Sequence, residues 1–149
     1  MEAKWDEWLK ALDQLAAVSK DFLGTVQNLD SRLSSRKGIC GNWSAKEVVA
    51  HIVGWEVEVA DSFRAFRAGR APDLDYDVNA FNRRSVDARK TSSWEAVLAE
   101  LRSAQRSLAK TTKALSEKEI EMEPRFLTWA NVLVRHYKHH KAQIEKLSG

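Results

Sequence analysis

At 149 residues, 44% hydrophobic and 30% charged, the chain is long enough to bury a core without disulfides or structural metal, and it fits one domain over residues 1–149. Basic and acidic residues nearly balance, 24 against 21 for a formal charge of +3, and they are interspersed, so no nucleic-acid partner is expected. The single cysteine, Cys40, excludes an intramolecular disulfide and a cysteine-based zinc cluster, and no run approaches the roughly 18 apolar residues of a membrane span.

The first element starts within "MEAKWDEWLKALDQL", which lacks the basic start, apolar run and cleavage site of a secretion signal, so a cytoplasmic location is expected. Trp5, Trp8, Leu9, Leu12, Leu15, Phe22, Val26, Leu29 and Leu33 recur at three- and four-residue steps and predict a helix over residues 5–33. "SSRKGICGN" interrupts it, with Gly38 and Gly41 as breakers. A second helix starts at a capping box, Ser44 with Glu47 three residues on, and runs to about Ala68, where Gly69 suits a left-handed terminus.

"RAPDLDYD" reads as a loop. A third helical region spans residues 78–115, interrupted near "RKTSSWE", where Ser92 and Glu95 offer a second capping box. "LSEKEIEMEPRF" is a connector with room for one short helical turn. Thr128 is the expected cap of a last helix over residues 129–147. Four long amphipathic segments without any alternating strand pattern predict an all-α, up-and-down four-helix bundle.

Three of the four histidines fall in "RHYKHHKAQI". The last helix's apolar stripe runs through Trp129, Val132, Leu133, His136, His140, Ile144 and Leu147, so His136 and His140 stand where a bundle wants leucine or valine. They are one turn apart and can aim at one inward point. On the second helix Val48, His51, Trp55 and Val59 share a line, which turns His51 inward as well. An unpaired buried imidazole costs about 1–3 kcal/mol. Coordinating one divalent cation would satisfy a nitrogen on each of the three rings and leave a position open, as in catalytic His₃ sites. Periodicity alone leaves the other reading open, hydrogen-bonded core histidines without metal. His139 has polar helical neighbours and lies at the periphery. Tyr137 turns away from the three. Cys40 has no surrounding motif, and Glu56 and Glu58 flank the histidines without clearly facing them.

"NWSAKEVVAHIVGWE" (residues 42–56) and "HYKHHKAQI" (residues 136–144) together resemble the motifs of the DinB/YfiT-like superfamily of four-helix bundles. Trp43, Ser44, Lys46, Glu47 and His51 fill the first pattern, and His136, His139, His140, Gln143 and Ile144 the second. The resemblance implies a divalent metal, nickel or zinc, held by His51, His136 and His140. It also implies an activity like that of thiol-dependent S-transferases that use low-molecular-weight thiols. "DVNAFNRR" (residues 77–84) is similar to the ClbS/DfsB subgroup, some of whose members are protective hydrolases. The expected function is therefore a metal-dependent enzyme acting on a small-molecule electrophile in detoxification or stress response. A non-catalytic ligand- or metal-binding bundle is the alternative. Trp55 either floors the substrate pocket or is only a core residue, Arg83 and Arg84 either bind a carboxylate of thiol or substrate or form a solvated helix face, and a homodimer is compatible with the family.

Overall fold

In the computed structural model, which describes residues 2–70 and 77–148, the first apolar stripe winds into α1 (Glu2–Gln27). The helix stops short of residue 33 because Asp30 takes over the backbone. Its carboxylate accepts from the Arg32 amide at 2.9 Å and caps a separate 3-10 turn, Ser31–Leu33. Short acidic side chains compete with helix continuation in this way. Trp8, Leu15, Phe22 and Val26 are buried, whereas Leu9, expected on the stripe, is 43% exposed.

α2 (Ala45–Arg67) begins at the expected capping box. The Ser44 hydroxyl accepts from the Glu47 amide at 3.3 Å, and the Glu47 carboxylate accepts from the Ser44 amide at 3.1 Å while pairing with Lys37. The helix ends at Gly69, whose φ of +79° is a left-handed conformation that other residues adopt only with strain. Of the loop expected at 70–77, including Pro72, only Arg70 and Asp77 are among the described residues. Asp77 caps α3 (Val78–Asp87) by accepting from the Ala80 amide at 3.0 Å.

Two expected caps are displaced. α4 (Trp94–Lys113) is capped by Ser93, not Ser92. Its hydroxyl accepts from the Ala96 amide at 3.1 Å, and an alanine there has no carboxylate to reciprocate. α5 (Glu117–Met122) fills the connector and has its own box, Ser116 with Glu119. α6 (Arg125–Ser148) starts before Thr128, which lies inside the helix. Glu123 does the capping there, accepting from the Arg125 amide at 3.2 Å and from its guanidinium at 2.6 Å. Pro124 between them lacks an N–H that the helix start does not need.

The four long helices pack as α1 against α6 and α2 against α4, with α1 also touching α4 and α2 touching α6. α3 lies on α2 and α5 on α1, so the four-helix core carries two further short helices, six in all among the described residues, with no strand. Aromatic packing closes one part of the core: Phe63 meets Trp8, Phe126 and Trp129 with ring centroids 6.2, 4.8 and 5.6 Å away. Where α3 crosses α2 there is no space for a side chain at Gly54. A Cβ on that residue would stand 2.1 Å from the Ser85 hydroxyl oxygen. No helix among the described residues is long and apolar enough to cross a membrane.

Candidate metal centre

α2 and α6 bring His51, His136 and His140 to one point. The Nε2 atom of His136 lies 2.7 Å from Nε2 of His51 and 3.0 Å from Nε2 of His140. His51 and His140 are buried and His136 is half-buried. Among the described residues these three form a group whose nitrogens could bind one cation, all lying within 4.8 Å of one another. Trp43, from the first motif, covers the cluster with its ring centroid 5.0 Å from that of His51.

The neighbours select the tautomer of His140. Its Nδ1–H donates to the Gln143 side-chain carbonyl at 2.7 Å, and the Gln143 amide in turn donates to Nε2 of His139 at 3.3 Å. His140 Nε2 is thereby left with a bare lone pair directed at the cluster. A neutral His136 Nε2 has either one hydrogen or one lone pair to give, so it serves only one of its two close nitrogen neighbours. His51 Nδ1 has no hydrogen-bond partner at all. Three converging nitrogens with too few hydrogens are poorly satisfied by one another and suit a shared cation. Ligand nitrogens at about 2.0–2.1 Å from a tetrahedral ion are roughly 3.3 Å apart, a small outward rotation from the spacing seen. The donor set fits a borderline divalent ion such as zinc or nickel.

Burial, with a neighbouring His140 charge adding to it, pushes the His51 imidazole down to about 4 and that of His136 to about 3. Burial lowers His140 as well. All three rings are therefore neutral at pH 7, the form that binds metal.

One wall of a cleft of about 230 Å³ is His136, and the rest is Trp55, Val59, Ser62, Trp129, Val132 and Leu133. Its lining carries no charged side chain, so the cluster borders an apolar space through His136. Trp55 is braced from α3, donating its indole N–H to the Asn82 carbonyl at 2.7 Å and stacking on Phe81 at 4.2 Å. Arg83 and Arg84 are exposed and do not line the cleft. Arg84 places its guanidinium 5.8 Å above the Phe81 ring, one aromatic layer behind Trp55. Val132, expected on the inner stripe, is 46% exposed at the cleft mouth. His139 is exposed, as its polar neighbours predict, and Tyr137 turns into the core, its hydroxyl meeting the Gln105 amide at 3.1 Å. Glu56, expected to flank the histidines without clearly facing them, turns into the core. It is fully buried, both oxygens lack partners, and burial pushes its carboxyl up to about 8.

The family model described as the DinB superfamily matches residues 1–144. The chain belongs to the DinB superfamily. No curated protein matches it. Among solved structures, this DinB-superfamily chain is similar to the colibactin self-resistance protein ClbS, crystallised in complex with double-stranded DNA. The TM-score is 0.82 at 14% identity, over 95% of this chain and 94% of that one. It is likewise similar to DfsB, a sibling lethal factor precursor, with a TM-score of 0.80 at 16% identity over 93% of each chain. An uncharacterized protein from Clostridium difficile 630 matches with a TM-score of 0.77 at 14% identity, over 93% of this chain and 94% of that one.

The ClbS complex corrects one expectation. The exclusion of nucleic acid does not stand, since a protein of this fold has been crystallised on a DNA duplex. That exclusion averaged charge along the sequence, whereas a polyanion meets charge as the folded surface displays it. α4 illustrates the difference: Glu95 and Glu100 lie in its first half, and only basic residues carry charge beyond them.

Proposed function

We propose that the protein is a divalent-metal-dependent enzyme acting on an apolar, electrophilic small molecule, with a low-molecular-weight thiol as co-substrate, in cytoplasmic detoxification. The observation that carries this reading is the convergence of three histidine nitrogens, with one of the rings, His136, forming a wall of an uncharged cleft. A nickel or zinc ion on His51, His136 and His140 supplies Lewis acidity, which makes a nucleophile of water or a thiol at neutral pH.

The chain's own side chains do the remaining work. Gln143 fixes the ring of His140, and Trp43 shields His51 from solvent. Trp55, Trp129 and Leu133 receive the apolar part of the substrate and exclude water beside the reacting atoms. Arg83 and Arg84, at the surface behind Trp55, are assigned to a carboxylate on the thiol or substrate that extends out of the cleft. No carboxylate lines the cleft, so proton transfer falls to the reactants or to solvent.

Elemental analysis of untagged protein, purified without chelator, tests the reading against a His51→Ala/His140→Ala variant. The wild type is expected to carry close to one nickel or zinc ion per chain and the variant almost none. A wild type that takes up neither ion after incubation with both would overturn the enzyme reading.

Duplex DNA as a partner is a second reading. It is prompted by ClbS and favoured here by the stretch at residues 101–113, which holds four basic and no acidic side chains.

A further inference from the structure

We propose that the outer face of the second half of α4, with the groove between α4 and α1, is where the protein docks on the phosphate backbone of duplex DNA. This rests on the second reading above and is independent of the metal centre.

Arg102, Arg106, Lys110 and Lys113 follow one another at steps of four, four and three residues, which confines them to roughly 80° of the helix circumference. They cover about 16 Å along the axis. One strand of a duplex lying along the helix presents four or five phosphates over that length, at one per ~3.4 Å. Arg106, Lys110 and Lys113 are exposed and Arg102 half-exposed.

Among the described residues no carboxylate forms an ion pair with this stripe. Each of the ion pairs there involves other basic groups, and the last carboxylate of α4, Glu100, is held by Arg89 at 2.8 Å. The neighbouring helix adds to the stripe. A groove of about 350 Å³ between α1 and α4 is lined by Lys20, Arg102, Arg106 and Lys113 and by no carboxylate.

The charge of the same groove favours a polyanion as its occupant. Its floor contains leucines, but none of them is among the large apolar residues left exposed, which are Leu9, Val57, Val78, Met122 and Val132. Long basic side chains lay their stems over such a floor and hold their charged ends in water. The groove keeps apolar surface on its floor, and the feature that suits phosphates is its basic rim of Lys20, Arg102, Arg106 and Lys113 with no acidic neighbour in the lining. No aromatic side chain lines the groove for stacking on bases, so contact is with the backbone and discriminates little between sequences.

The test is fluorescence anisotropy of the full chain with a short labelled duplex of arbitrary sequence, across a potassium chloride series. The variant carries Arg102→Gln, Arg106→Gln, Lys110→Gln and Lys113→Gln. A Lys138→Gln/Lys146→Gln variant on α6 is the control, and thermal melts confirm the fold of each. Wild-type binding is expected to be micromolar and steeply salt-dependent, in the range of sequence-independent contacts. The four substitutions should weaken it at least tenfold and flatten the slope of log K against log salt by about 3–4. An Arg106→Gln/Lys110→Gln pair should give about half that flattening, which keeps the test informative if the fourfold variant folds poorly. If duplex binding is tight but equal in wild type and variants, the face is wrong while DNA remains a partner. Failure of the wild type to bind duplex at low salt overturns both. Binding of polyglutamate in place of duplex would reassign the face to an acidic protein.

Discussion

Replacing Glu56 with glutamine is expected to stabilise the protein by on the order of 4 kcal/mol at pH 8 and to change little near pH 4.5. Glu56 is 0% exposed on α2, within a stripe of Val49, Ile52, Val53, Ala60 and Phe63, and neither carboxyl oxygen has a hydrogen-bond partner. A charge there is costly, so burial raises the folded-state value to about 8 from an ordinary 4.5. Between those values the folded protein holds a proton that the unfolded chain has released. Stability of the wild type therefore falls as pH rises through this window, by about 1.4 kcal/mol per unit.

Glutamine has the same shape and no charge, so the corresponding slope disappears. The three inward histidines act in the opposite direction. Their lowered values make acid destabilising, but they are common to both proteins and cancel in the difference. Urea unfolding of wild type and Glu56→Gln across pH 4.5–8 measures this difference directly. Parallel stability curves would show that Glu56 is hydrated or paired in solution and would sink the prediction.

Gly54→Ala is expected to lose about 1–3 kcal/mol, although alanine is the better helix former by about 1 kcal/mol. The added methyl would stand 2.1 Å from the Ser85 hydroxyl oxygen and 2.6 Å from its Cβ, closer than atoms approach without displacement. Ser85 belongs to α3, so relief requires α3 to move away from α2. That movement also loosens the Asn82 and Phe81 contacts that brace Trp55 at the cleft. Ser85→Gly removes both clashing atoms, and the double variant should recover most of the loss in a mutant cycle. If Gly54→Ala alone is as stable as wild type, the close crossing of α2 and α3 is not rigid and the bracing argument fails.

Several elements were legible because their causes are local. The Ser44–Glu47 box, the left-handed Gly69 and the inward faces of His51, His136 and His140 follow from spacing along one helix. The misplacements have local causes as well, in competition among adjacent candidates. Ser93 prevails over Ser92, Asp30 ends α1 early, and Glu123 takes the role expected of Thr128. Glu56 did leave a signal: it falls three and four residues from Val53, Ile52 and Ala60, on the buried side of α2. A carboxylate is ordinarily solvated, so that position was easily read past.

By itself the sequence determined the helical class, most helix limits, family membership and which face of its helix each inward histidine occupies, because these depend on periods of 3.6 residues and on side chains within one turn of each other. Only the tertiary structure decided the rest. His51 and His136 are 85 positions apart, and their 2.7 Å approach depends on how α2 and α6 are registered. The apolar cleft beside them, the crossing of α3 over Gly54 and the groove between α1 and α4 likewise belong to no single helix. Each is set by packing between elements, whose close-packed fit fixes relative positions to within an ångström and leaves no trace in the pattern of either helix alone.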